Sequence, residues 1–242
     1  MKRKQNEITS MSPYDLNNTG VVHLTNGNFA KAHEAFRCAL KSIATLVQDN
    51  DTNRNESGAR TDTTSSSTLC VASSMPSFLT CDNGLTIHSQ GIRVDASLDR
   101  SDYENVTMLS SVVVFNIALT YHLNGLAEMD QKVLYRTKAL YRQCYRLLGG
   151  VIHDGGLHTG SNATLDLLSM ALLNNLAHIE IEFCDLHEAD VMFQRLVRYA
   201  LLVQSRSYSD ERLSVWMNGQ ALLFLRNSAL CSLSSLCVAP AA

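Results

Sequence analysis

LNNTGVVHLTNGNFAKAHEAFRCAL, running from Leu16 to Leu40, decides the reading of this chain. Just ahead of it, Ser12-Pro13-Tyr14-Asp15 reads as a helix start. Serine accepts from the free amides of the first turn, proline fits there without losing a needed donor, and Asp15 reaches back as a capping-box acid. Leu16, Gly20, His23 and Leu24 then share one helical face. Gly27 supplies the positive φ that ends this helix and Asn28 caps the next, in which Phe29, Ala32, Phe36, Ala39 and Leu40 recur at helical spacing. Gly20 and Ala32 are small where the two helices would cross, so their backbones can approach closely.

The pattern returns twice. Leu173-x2-Leu176-Ala177-x2-Glu180 is followed by Ala189-x3-Phe193, with Asp185 and Glu188 as the cap between them. Val114-x2-Ile117-Ala118-x2-Tyr121 is followed by Leu140-x3-Cys144-x2-Leu147, at a wider interval that calls for a longer turn or a helix extension. The order Leu16-x2-Thr19-Gly20-x2-His23, then Ala32-x3-Phe36, resembles the tetratricopeptide repeat. His23 and Glu180 stand where that family usually has an aromatic, and the closing proline is missing. The resemblance implies an all-α fold of about three helix-turn-helix hairpins, with a C-terminal helix capping the last. It also implies a non-enzymatic scaffold or adaptor.

At 242 residues the chain can bury a real core, and its hydrophobic content of 45% excludes wholesale disorder. A formal charge of −3 argues against a nucleic-acid surface. No run of about 18 apolar residues stands out, so no membrane span is expected. Met1-Lys2-Arg3-Lys4 is followed by polar residues rather than a signal peptide's apolar run, which places the protein inside the cell, in the cytoplasm. Seven cysteines, at 38, 70, 81, 144, 184, 231 and 237, form no C-x-x-C pair. They are read as free thiols, with Cys38, Cys144 and Cys184 filling helix interiors.

In chain order, residues 1–11 form a disordered tail and 12–230 a single helical domain, in which the first hairpin occupies about 12–48. Residues 48–77 are rich in Asp, Asn, Ser and Thr and too polar to offset the entropy of ordering, so a disordered insertion is expected. In 84–95, Leu85 and Ile87 alternate on one side of Ser89-Gln90-Gly91, and Ile92 and Val94 on the other, which predicts two short strands around a glycine turn. Helices follow over Met108–Asn124 and Gln131–Leu148, then from a Thr164 cap to Cys184, from Asp185 to Ser205, and from Ser207 or Asp210 to Arg226. Residues 231–242 read as an extended apolar tail.

No catalytic residue, metal site or cofactor is assigned. His153, Asp154 and His158 lie in a glycine-rich loop and lack a further ligand. His23, His122 and His178 occupy corresponding stretches, but no serine or cysteine partner is evident and they read as amphipathic fillers. Glu180, Glu182 and Glu188 read as solvated charge or cap. Asn18, Asn116 and Asn175 are expected to tie one helix to the next. If the hairpins stack, the groove face comprises Asn17, Val21, Leu24, Phe115, Leu119, His122, Asn174, His178 and Ile181. This face has no Lys or Arg and suits a protein or peptide segment carrying apolar anchors. The alternative occupant is the chain's own insertion or tail. Two other functions stay open: an enzyme with a His/Cys site assembled between repeats, and a structural subunit of an obligate complex.

Overall fold

The computed structural model describes residues 11–56, 78–81, 85–94, 103–149, 162–206, 208 and 211–237. The fold is all-α apart from one short hairpin. Its helices are α1 (Pro13–Thr25), α2 (Phe29–Glu56), α3 (Tyr103–Glu128), α4 (Gln131–Leu147), α5 (Ala163–Glu182), α6 (Leu186–Ser205) and α7 (Glu211–Cys237). Each packs on the next in sequence. In addition α1 touches α3, α3 touches α5, and α5 touches α7. The odd-numbered helices therefore form one layer, and the even-numbered helices back it.

Three hairpins, α1–α2, α3–α4 and α5–α6, are closed by the same turn. One residue enters the left-handed region: Gly27 at φ 70°, Met129 at 52° and Cys184 at 56°. The next residue is Asn28, Asp130 or Asp185, whose amide reaches back to the carbonyls of His23, Gly125 and Glu180 at 2.9, 3.0 and 2.8 Å. That six-to-one bond satisfies a carbonyl the ending helix would otherwise leave open. Asp130 and Asp185 then accept amides of the following helix, from Lys132 and Val133 and from Glu188. At α1 the start reads as expected, with Ser12 accepting from the Asp15 amide.

The small residue at the first crossing is under tight steric demand. A Cβ on Gly20 would lie 2.4 Å from the Phe36 ring, so α1 and α2 pack on a contact only glycine allows. Ala32, Phe36, Ala118, Ala177 and Ala189 are all buried. The wide interval in the second hairpin is helix extension, because its turn matches the other two.

Several expectations need correction. The second helix runs to Glu56 rather than about residue 48, because polar composition withdraws burial but supplies no breaker: neither Gly nor Pro occurs between Gly27 and Gly58. Residues 57–77 of the expected insertion, the 1–10 tail and the His153–His158 loop lie outside the described residues. The helix after that loop is capped by Asn162, which accepts from the Leu165 amide, and not by Thr164, which is buried. The C-terminal stretch is helical to Cys237 rather than extended. Cys184 is exposed because it forms the left-handed turn; Cys144 is buried and its thiol meets the Ser111 carbonyl at 3.3 Å.

One helical stretch, Val106–Glu128, is long and apolar enough to cross a membrane by length and composition, contrary to the expectation from runs alone. In this fold 72% of its apolar window is covered by the rest of the protein. A core helix surrounded by neighbours has the same composition.

The strands are also displaced from their expected place. β1 (Phe78–Thr80) pairs antiparallel with β2 (Thr86–His88), placing Leu79 opposite Ile87. Residues 91–94 do not fold back on β2. They continue it as an extended segment along the odd-numbered helices, because their main-chain partners are side chains of α1 and α3.

Candidate functional site

An extended chain has two hydrogen-bonding edges, served by alternate residues. In the segment Leu85–Val94 one edge faces β1, where the Leu85 carbonyl accepts the Cys81 amide at 2.8 Å. The other edge carries the amides and carbonyls of Thr86, His88, Ile92 and Val94. Each of these four residues is gripped in both directions by one asparagine.

Asn227 of α7 accepts the Thr86 amide at 2.7 Å and donates to the Thr86 carbonyl at 2.8 Å. Asn175 of α5 does the same for His88, at 2.8 and 2.9 Å. Asn116 of α3 holds Ile92, at 2.8 and 2.9 Å, and Asn18 of α1 holds Val94, at 3.0 and 2.8 Å. Two further asparagines brace the row. Asn174 donates to the Thr86 carbonyl and accepts from Asn227; Asn17 donates to the Ile92 carbonyl and accepts from Asn116. A carboxamide offers a donor and an acceptor about as far apart as those of a peptide group, so a column of asparagines serves as the missing neighbouring strand.

The segment runs from α7 towards α1, against the order of the helices. Leu85, Ile87, Ile92 and Val94 are buried, as are His88 and Gly91. At Gly91 the wall is close: an added Cβ would lie 2.9 Å from one Val21 methyl and 3.3 Å from a Leu24 methyl. The His88 ring lies between Phe115 and Phe224, with centroids 6.2 and 6.3 Å away. Phe115 occupies the place that Asn17 and Asn174 hold on their own helices, directly before the gripping asparagine. At this one position the amide column gives way to a ring.

Part of the expected face lies against the chain itself: the covering segment is Leu85–Val94, which is neither the 48–77 insertion nor the C-terminal tail. Asn17, Val21, Leu24, Phe115 and Asn174 border the segment as the face assignment requires. Leu119 is buried, and Ile181 is half-buried against the core. Asn18, Asn116 and Asn175 were expected to tie helices together. All three grip the segment, and two of them also link helices: Asn116 donates to Asn17 of α1 at 2.9 Å and Asn175 to the Tyr141 hydroxyl of α4 at 3.2 Å. Asn227 was not among the expected residues; its signal was an asparagine in a helix interior next to an apolar stretch, a position with a local penalty unless the amide is used.

Behind the segment, His122 and His178 come together, with ring centroids 5.3 Å apart. His23 does not join them. His122 Nδ1 meets the Tyr141 hydroxyl at 3.2 Å, and His178 Nε2 is 3.7 Å from Glu182. Burial drives the pKa of His88 and of His178 down to about 4, and burial together with its His178 neighbour takes His122 well below its usual value. Burial likewise pushes the Cys144 thiol upward, which opposes thiolate formation. Among the described residues no group of three His, Cys, Asp or Glu side chains is placed to hold a metal ion.

Two buried charges belong to structure. Glu180, expected to be solvated, is 1% exposed and bridges Lys138 at 2.5 Å and Arg142 at 2.9 Å across the α4–α5 contact. Asp166, at the start of α5, accepts from Tyr199, Arg206 and Tyr208 and fastens the α6–α7 connection. Neither faces the segment. No protein-family model matches the chain, and neither a curated protein nor a solved structure is significantly similar to it.

Proposed function

We propose that the chain is a non-enzymatic, tetratricopeptide-like scaffold of the cell interior. Its groove holds an extended protein segment by the main chain, and Leu85–Val94 is its resident occupant. The observation that carries this reading is the set of four asparagines, one from each odd-numbered helix, each gripping both polar groups of one segment residue. A grip on the main chain is addressed to polypeptide, and the alternate apolar side chains supply the anchors. An uncharged wall suits a stretch of chain rather than a charged terminus. A partner's segment competes with one that is tethered, and tethering gives the resident an effective concentration of about millimolar.

The test uses the full chain with Ile92→Ser, which loosens the resident segment, and a labelled synthetic peptide spanning Leu85–Val94. Saturable binding, lost when Asn116→Ala is added, is expected by fluorescence anisotropy. A folded Ile92→Ser chain that takes up no peptide at millimolar concentration would overturn the reading.

A further inference from the structure

We infer that the groove selects its partner at two positions: a planar ring where His88 sits and a glycine where Gly91 sits. The inference rests on the proposed function and names the chemistry of the partner's segment. That partner is an extended stretch carrying apolar residues at the places of Leu85, Ile87, Ile92 and Val94, a ring directly after the second of these, and glycine directly before the third. Elsewhere the grip is on amides and carbonyls that every residue but proline has, so beyond excluding proline it carries no sequence information. Selectivity must come from side chains that meet a shaped wall.

Two walls qualify. Val21 is β-branched on a helix, with little rotamer freedom, so a methyl group added at position 91 and lying 2.9 Å from it has no easy escape. The Leu24 methyl closes the same space from one turn further on. At position 88 the two phenylalanines, from α3 and α7, lie tilted against the imidazole, with centroids 6.2 and 6.3 Å away. Phe115 sits where α1 and α5 carry a bracing asparagine, so α3 exchanges one main-chain contact for a side-chain pocket. Ser89 and Gln90 lie between these two positions and are only half-buried; the hydrogen bond that Gln90 makes to the His88 side chain is through its backbone, which any residue there keeps. They are expected to be free to vary.

The experiment uses the Ile92→Ser full chain and a panel of peptides spanning Leu85–Val94. Relative to the parent peptide, Gly91→Val and His88→Ala are expected to bind at least about tenfold more weakly. His88→Phe, which keeps the ring but loses the hydrogen bond to the Gln90 backbone, is expected to bind more tightly than His88→Ala, and Ser89→Ala and Gln90→Ala to bind within about threefold of the parent. On the protein side, Val21→Ala is expected to restore binding of the Gly91→Val peptide. If the parent binds in an Asn116-dependent manner while Gly91→Val and His88→Ala bind equally well, the selectivity is overturned and the scaffold reading stands. If the parent itself fails on a folded chain, the scaffold reading falls. Should Ile92→Ser not fold, the wild-type chain is challenged with the same peptides in excess, and release of the resident segment is read by tryptic cleavage after Arg93. The same ranking of peptides supports the inference, and equal release by all of them refutes it.

Discussion

Helices α5 and α4 lie against each other, yet they are built on opposite plans. In α4 the buried residues Leu134, Thr137, Tyr141 and Cys144 form one stripe, and the rest of the surface is mixed, charged residues alternating with exposed Tyr135 and Leu147. In α5 burial is continuous from Ala163 through Glu180, save for Leu165, on every side of the helix. A stripe means one covered face; burial all round means cover on all faces. The neighbours α3, α4, α6 and α7 cover α5 together with the segment Leu85–Val94. The inner helix was therefore never the wall of an empty groove, and its composition says so.

The largest expected effect of burial comes from acid. His88 and His178, each with a folded pKa of about 4, and His122, lower than usual, are all buried where the segment and the odd-numbered helices meet. Their ordinary value is near 6.5, so the unfolded chain takes up protons that the folded chain refuses as pH falls below that value. Stability is then full above about pH 6.5 and is lost on the way down to about pH 4, at up to roughly 1.4 kcal/mol per pH unit for each histidine. Urea unfolding across this range should show the slope, and His178→Gln should reduce it. An unchanged slope in that variant would remove His178 from the account.

Next comes the grip. Asn116→Leu leaves the Ile92 amide and the Asn17 carbonyl without their partner inside the protein, and a loss of about 3 kcal/mol is expected from chemical denaturation. The crossing of α1 and α2 follows: Gly20→Ala pushes a methyl into the Phe36 ring and should lower stability by about 1–3 kcal/mol. As its control, an added Cβ on Gly219 of α7 meets nothing within 4 Å, so Gly219→Ala should be neutral or stabilising by up to about 1 kcal/mol. At the outer edge, Met129 is 90% exposed and held at positive φ, so Met129→Gly should raise stability by about 0.5–1 kcal/mol. Smallest of all is Arg37→Ala. It removes an ion pair with Glu34 that lies in water, and should leave the melting temperature unchanged.

Much of this architecture could be read from the residues. The turn at Gly27, the cap at Asp185 and the small residue at Gly20 each have one local cause, and each stands where its chemistry required. The other two left-handed turns were hidden because Met129 and Cys184 do a job usually given to glycine. The groove face was legible through its asparagines, but their task was only half seen. The sequence shows that an amide in a helix interior needs partners; it does not show whether those partners belong to a neighbouring helix or to a segment tens of residues away. Asn116 lies thirteen positions before its turn residue, while Asn18 and Asn175 lie nine before theirs. That extra helical turn in α3 blurred the repeat, although all three side chains converge on one strand edge. The segment itself was mistaken for a self-contained hairpin because its alternation of apolar residues is the same whether its edge meets a strand or a row of carboxamides.

Hydrogen exchange at the segment's own amides tests the central claim most directly. In the native full chain the amides of Thr86, His88, Ile92 and Val94, each bonded to an asparagine, are predicted to exchange as slowly as those of the buried helices. In Asn116→Leu, Ile92 is predicted to lose protection first. Exchange of all four at the rate of an unstructured peptide, while α3 and α5 stay protected, would contradict the account.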